Sequence, residues 1–161
     1  MKSLAVIFLF LCSLVLHAED PGKEQIGSLS VEMIYATDGG LEKIANHGNP
    51  LLKKDEKAIR EIKKLTFKNY RSMGVEVSKI LRSYESWATP MRPSKEMLIS
   101  FEPLNREGPN ELQMVLEYWQ AKRKLFRTNP VLVKGKPLYL LGPDWRGGKV
   151  ILKLKLLELT E

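Results

Sequence analysis

Three glycines crowd one acid, one tryptophan and one arginine in LGPDWRGGKV, residues 141–150. A phosphate-cradling loop would follow the pattern G-x-x-x-x-G-K-[ST], in which backbone N–H groups wrap the phosphates and a hydroxyl holds magnesium. With Gly148 and Lys149 as the G-K pair, the place of the first glycine is taken by Pro143, and Val150 brings no hydroxyl. Counting from Gly142 instead puts Gly148 where lysine should stand. The residues that follow alternate like a strand, whereas phosphate is bound at a helix N-terminus. The stretch therefore reads as a hairpin bend over residues 142–148, joining PLYLL to KVILKLKLLEL. Gly and Pro supply the backbone angles of a turn. Asp144, Trp145 and Arg146 then project as a candidate binding trio, or Trp145 folds back over the edge of the core.

Other chemistries are short of material. The one cysteine, Cys12, and His17 lie in the apolar N-terminal segment, which leaves His47, in the loop-like ANHGNP, as the remaining histidine. A clustered metal site or a Ser-His-Asp relay of ordinary design is not expected from that inventory. No G-x-S-x-G elbow occurs. No cofactor motif and no metal-ligand set stands out. Two carboxylates across a sugar suffice for glycoside hydrolysis, and the chain has 19 Asp and Glu, but no spacing singles out a pair. Serines and carboxylates are accounted for by exposed loops and strands.

Two further features suit binding. Between residues 122 and 136 stand six cations and no acid: Lys122, Arg123, Lys124, Arg127, Lys134 and Lys136. Such a block attracts polyanions weakly, although strands also expose lysine to discourage edge pairing. Trp87, Trp119 and Trp145 are the other feature. Large aromatics are usually core residues, and Trp87 and Trp119 are read that way. Tyr118 and Trp119 are adjacent in a strand, so they take opposite faces.

The elements that must position these residues begin after residue 18. Lys2 followed by thirteen nearly apolar residues, 4–16, is too short for a comfortable bilayer span of about 20 residues and has the form of a secretory signal peptide cleaved near Ala18. Removing 18 of 161 residues leaves 143, one domain's worth, and losing Lys2 takes the net charge from +7 to +6. Residues 19–28 read as a flexible lead-in to a single domain over 29–161. Leu29, Val31, Met33 and Tyr35 alternate with polar residues and predict a half-buried strand. Asn49 as cap and Pro50 as first helical residue predict a helix, with Ile59, Ile62 and Leu65 along its apolar stripe and lysines over much of the remainder. Period-2 spacing then dominates from about residue 67 to the end, as in an antiparallel meander. The fold class expected is α+β: one N-terminal strand and an amphipathic helix, followed by a β-meander closing as a sandwich or half-open barrel.

Ile34–Thr37, the Pro50–Leu52 start, and the turn made by Gly142–Pro143 with Gly147–Gly148 give the chain a resemblance to small exported bacterial α+β proteins of unassigned function. That resemblance implies the fold and carries no catalytic residues. Taken together, these features predict a non-catalytic exported binding or structural module, periplasmic or secreted, for a protein or envelope component. A small exported hydrolase using paired carboxylates is the alternative.

Overall fold

Alternation in the N-terminal strand reaches further than the sequence pattern indicates. The computed structural model describes residues 19–160, apart from 42, 43, 45–47, 64 and 93; the proposed signal segment and His47 lie outside the described residues. A single turn of 3-10 helix at Pro21–Lys23 leads into β1, Gln25–Thr37, which begins inside the stretch read as lead-in. Nine more strands follow: β2 (Asn49–Pro50), β3 (Asn69–Leu81), β4 (Ser86–Ala88), β5 (Met97–Gly108), β6 (Glu111–Gln120), β7 (Arg123–Thr128), β8 (Val131–Val133), β9 (Pro137–Trp145) and β10 (Gly148–Leu159). The described α-helix is α1, Lys53–Lys63.

The strands form two antiparallel sheets. Sheet A runs β2-β3-β1-β10-β9, and sheet B runs β4-β5-β6-β7, with β8 continuing along the β6 edge beyond β7. The first and last long strands are thus central neighbours, paired from Gly27↔Leu159 to Ala36↔Lys149. Inward positions of both sheets meet in the main core. Leu29, Val31 and Met33 of β1 and Leu152, Leu154 and Leu156 of β10 are fully buried with Ile99, Phe101, Met114 and Leu116 from sheet B. Burying such side chains contributes about 1.5–3 kcal/mol each, so this layer dominates the apolar stabilisation.

The α+β expectation is corrected: among the described residues strands make up 62% and helix 10%, with one α-helix. The helix does not begin where the Asn-Pro pair predicts. Asn49 and Pro50 pair with Ser72 and Arg71 of β3. The Leu52 carbonyl instead accepts from the Asp55 and Glu56 N–H groups at 2.9 and 3.1 Å, which starts the helix at Lys53. Eleven residues are too few to form a layer of their own. They cover one part of the outer face of sheet A, where Ile59 joins Ile34, Ala36, Tyr70, Tyr139 and Ile151 in a smaller cluster.

Polar groups fasten α1 to that face. Lys153 Nζ lies 2.8 Å from Asp55 Oδ2 and 3.0 Å from Glu32 Oε2. Tyr139 donates to Asp55 Oδ1 at 2.8 Å, and Ser72 donates to Glu32 Oε1 at 2.6 Å. Each carboxylate oxygen therefore accepts a bond, as burial of a charge requires. Burial pulls the Lys153 ammonium down, but Asp55 and Glu32 outweigh it and hold the group above its ordinary value. Burial and the Asp55 carboxylate together push the Tyr139 hydroxyl well up.

A second tie joins β3 to the loop after β4. The Glu76 carboxylate accepts from the Thr89 N–H at 2.6 Å and its hydroxyl at 3.0 Å, and from Arg92 at 2.8 Å. Burial pushes this carboxyl up, but those donors outweigh it and hold it below the usual range. The loop comes so close that a Cβ on Gly74 would stand 1.9 Å from the Pro90 carbonyl oxygen.

Candidate binding site

The outer face of sheet B gathers the aromatic and basic residues. Across β4, β5, β6 and β7, one row reads Trp87, Ser100, Glu117, Arg127, and the next contains Leu98, Trp119 and Lys124. Trp87 and Trp119 rings sit 5.9 Å apart at 50°. Their indole N–H groups donate to Glu85 at 3.1 Å and Glu117 at 3.2 Å. Glu117 is buried and also holds Lys124 at 3.0 Å and Arg127 at 3.8 Å. Lys124 lies 5.5 Å over the Trp119 ring, within cation–π range.

Trp87 departs from the core reading, being 44% exposed. Strand parity explains why: Ala88 is fully buried against the core, so its neighbour must face outward. Tyr118 and Trp119 divide between the faces. Tyr118 goes inward, stacked on Phe126 at 5.4 Å, and Trp119 goes outward. The Tyr118 hydroxyl is buried with no hydrogen-bond partner.

The basic segment does not form one block. Ala121 and Lys122 make the β6–β7 turn, both with positive φ (47° and 65°), as a two-residue hairpin of this hand demands. Lys122 and Arg123 are exposed at that tip, beside the paired Lys124 and Arg127. Lys134 and Lys136 stand at the far end of β6, where Val133 pairs with Glu111. Ten strand residues, about 30 Å, separate the ends.

The hairpin trio is also divided. The bend expected over residues 142–148 is only Arg146–Gly147, with φ 48° and 80°, because β9 continues to Trp145 and pairs it with Gly148. Asp144 is exposed in the strand and paired with Lys149. Trp145 is buried: its ring meets Tyr35 edge-on at 5.6 Å, its Nε1 donates to Glu96 at 3.0 Å, and the Arg146 guanidinium lies 4.5 Å over it. Arg146 is also 3.6 Å from Glu96, and its carbonyl accepts from the Tyr35 hydroxyl at 3.0 Å. Trp145 and Arg146 close one end of the sandwich. Asp144 and Arg146 are exposed, the first tied to Lys149 and the second to Glu96, while Trp145 is buried between them.

Sequence reasoning missed the pairing of Trp87 with Trp119 and the Glu32–Lys153–Asp55–Tyr139 set. The only local signal for the second was that Glu32 and Lys153 occupy polar positions in otherwise apolar strands. Among the described residues, no group of three or more His, Cys, Asp or Glu side chains is placed to hold a metal ion. No described helix is long and apolar enough to cross a membrane. No family model, curated protein or solved structure matches the chain.

Proposed function

We propose that the protein is a non-catalytic exported binding module that holds a protein or envelope component against the outer face of sheet B. The observation that carries this reading is the exposed Trp87 indole tilted against Trp119. Tryptophan and arginine are enriched among residues that dominate binding energy at interfaces. Here the acids occupy the indole N–H groups and leave ring faces for contact. Glu117 also holds Lys124 and Arg127 in place, so a partner need not order them on docking. Lys124 and Arg127 of β7, with Lys122 and Arg123 at the adjoining turn, give the Trp119 side of this face more cations than the acids Glu85 and Glu117 balance, which favours a partner carrying negative charge.

The carboxylate-hydrolase alternative finds less support. Glu32 and Asp55 share Lys153 and are engaged by further donors, an arrangement that fastens α1 to the sheet.

Capture from envelope extract by the immobilised protein, compared with Trp87→Ala and Trp119→Ala, tests the proposal. Capture of a discrete component should weaken in both variants and with added salt, while their melting stays close to wild type. Capture unchanged in both variants removes the face from consideration. Turnover in a parallel glycan and ester screen, abolished by a single Asp or Glu change, reverses the reading in favour of the hydrolase.

A further inference from the structure

A second site lies on the opposite side of the sandwich, where α1 leaves part of sheet A uncovered. A cleft of about 310 Å³ opens there, with Lys54 and Asp55 of α1 on one wall and Pro137, Tyr139, Lys153 and Lys155 of β9 and β10 beneath and opposite. That volume is at the lower end of the range for small-molecule sites, about 300–1,000 Å³.

Hydrogen-bonding capacity in the cleft is unequal. Both Asp55 oxygens already accept, one from Tyr139 and one from Lys153. Glu32, behind Lys153, is likewise engaged at both oxygens. The Tyr139 hydroxyl hydrogen is committed to Asp55. An ammonium has three donors, and Lys153 uses two of them, on Asp55 and Glu32. Lys54 and Lys155 have no ion-pair or hydrogen-bond partner among the described residues. Lys155 is fixed in register, flanked by Ser30 of β1 and Pro137 of β9, and is held half-buried at the cleft floor. What remains for a ligand is therefore chiefly N–H donors with positive charge, on a rigid floor.

We infer that this cleft binds a small oxyanion-bearing molecule, its phosphate or carboxylate group held between Lys54 and Lys155. Asp55 and Glu32 do not repel it as free carboxylates would, because Lys153 lies between them at hydrogen-bond distance. They leave the cleft with only a modest positive excess, so selection falls on a compact anion that reaches both lysines. The site is independent of the tryptophan face: it lies on the other sheet and shares no residue with it.

Titration calorimetry of the purified protein with inorganic phosphate and with citrate tests the inference and separates the two oxyanion classes. Saturable binding of at least one probe is expected, weakened about tenfold or more by Lys155→Ala, less strongly by Lys54→Ala, and unchanged by Trp87→Ala. Both lysines have exposed or half-exposed charges without partners, so melting of the variants should match wild type and exclude unfolding as the cause. Saturable binding that persists in the Lys54→Ala/Lys155→Ala double variant overturns the inference, as does binding lost in Lys124→Ala instead. Absence of saturable binding by either probe up to tens of millimolar (on the order of 10 mM, about 2.7 kcal/mol) also overturns it.

Discussion

Replacing Lys153 by methionine tests how α1 is held. The change keeps an apolar stem and removes the cation shared by Glu32 and Asp55. The three side chains are only 16%, 13% and 5% exposed, so water relieves the two remaining carboxylates little. At 2.8–3.0 Å and an effective dielectric of about 20, each contact carries about 6 kcal/mol of attraction. Desolvation of the ions takes back several kcal/mol apiece, and removing one member of such a set costs about 3–5 kcal/mol. Urea unfolding at neutral pH, followed by tryptophan fluorescence, should show that loss. Asp55→Asn added to Lys153→Met removes one of the stranded charges and should recover part of it, a coupling that a double-mutant cycle measures. The pH dependence has a definite sign. Lys153 is raised above 10.5 in the fold, so its contribution is present below that value and lost as pH climbs through the folded one. Wild type should therefore lose its advantage over Lys153→Met as pH rises beyond about 10.5. A neutral-pH cost under about 1 kcal/mol, or a double variant no more stable than the single, refutes the reasoning.

Other perturbations address separate contacts. Gly74→Ala places a methyl 1.9 Å from the Pro90 carbonyl oxygen, so backbone must move; a loss of about 3 kcal/mol or more in urea unfolding is expected. Tyr118→Phe deletes a buried hydroxyl that has no partner and should raise stability by about 1 kcal/mol, seen as a melting temperature higher by a few degrees. Trp145→Ala opens a cavity at the sandwich end and should cost about 3–5 kcal/mol in urea unfolding, while any capture through the sheet B face persists in protein that remains folded. The Glu76 carboxyl is held below its ordinary 4.5, so its contribution is present above that value and is lost as pH falls through the lower folded one. Glu76→Gln should accordingly flatten the acid limb of an unfolding-versus-pH profile.

Reading the sequence succeeded where the signal was local. Alternation in β1 places Leu29, Val31, Met33 and Tyr35 on one face, and all four are buried between the sheets. It places Lys149, Lys153 and Lys155 on the opposite face of β10 from Val150, Leu152 and Leu154, which are buried. Turn lengths were less legible. Residues 105–108 and 142–145 look like loop by composition, with Asn, Gly and Pro, yet they extend β5 and β9 and leave bends at residues 109–110 and 146–147. Pairing with β6 and β10 overrides local preference there, since strand propensity mostly reflects neighbours across the sheet. The Asn49–Pro50 helix start failed for the same reason: β3 offers those residues partners that the sequence does not display.

By itself, the sequence determined the period of the long first and last strands, β1 and β10, and hence which of their side chains share a face. It also determined the excess of lysine and arginine, and the scarcity of histidine and cysteine. These are properties of neighbours in the chain. Tertiary structure alone decided that β1 lies between β3 and β10, that two sheets rather than a helix layer enclose the main core, and that Trp145 is buried while Trp87 is not. It also decided that Lys153 meets Asp55 from 98 residues away and that Trp87 meets Trp119. The reason is physical. Alternation assigns a side chain to a face but does not say what covers that face. A charge or an indole acquires its role only from the groups that packing brings within a few ångströms of it.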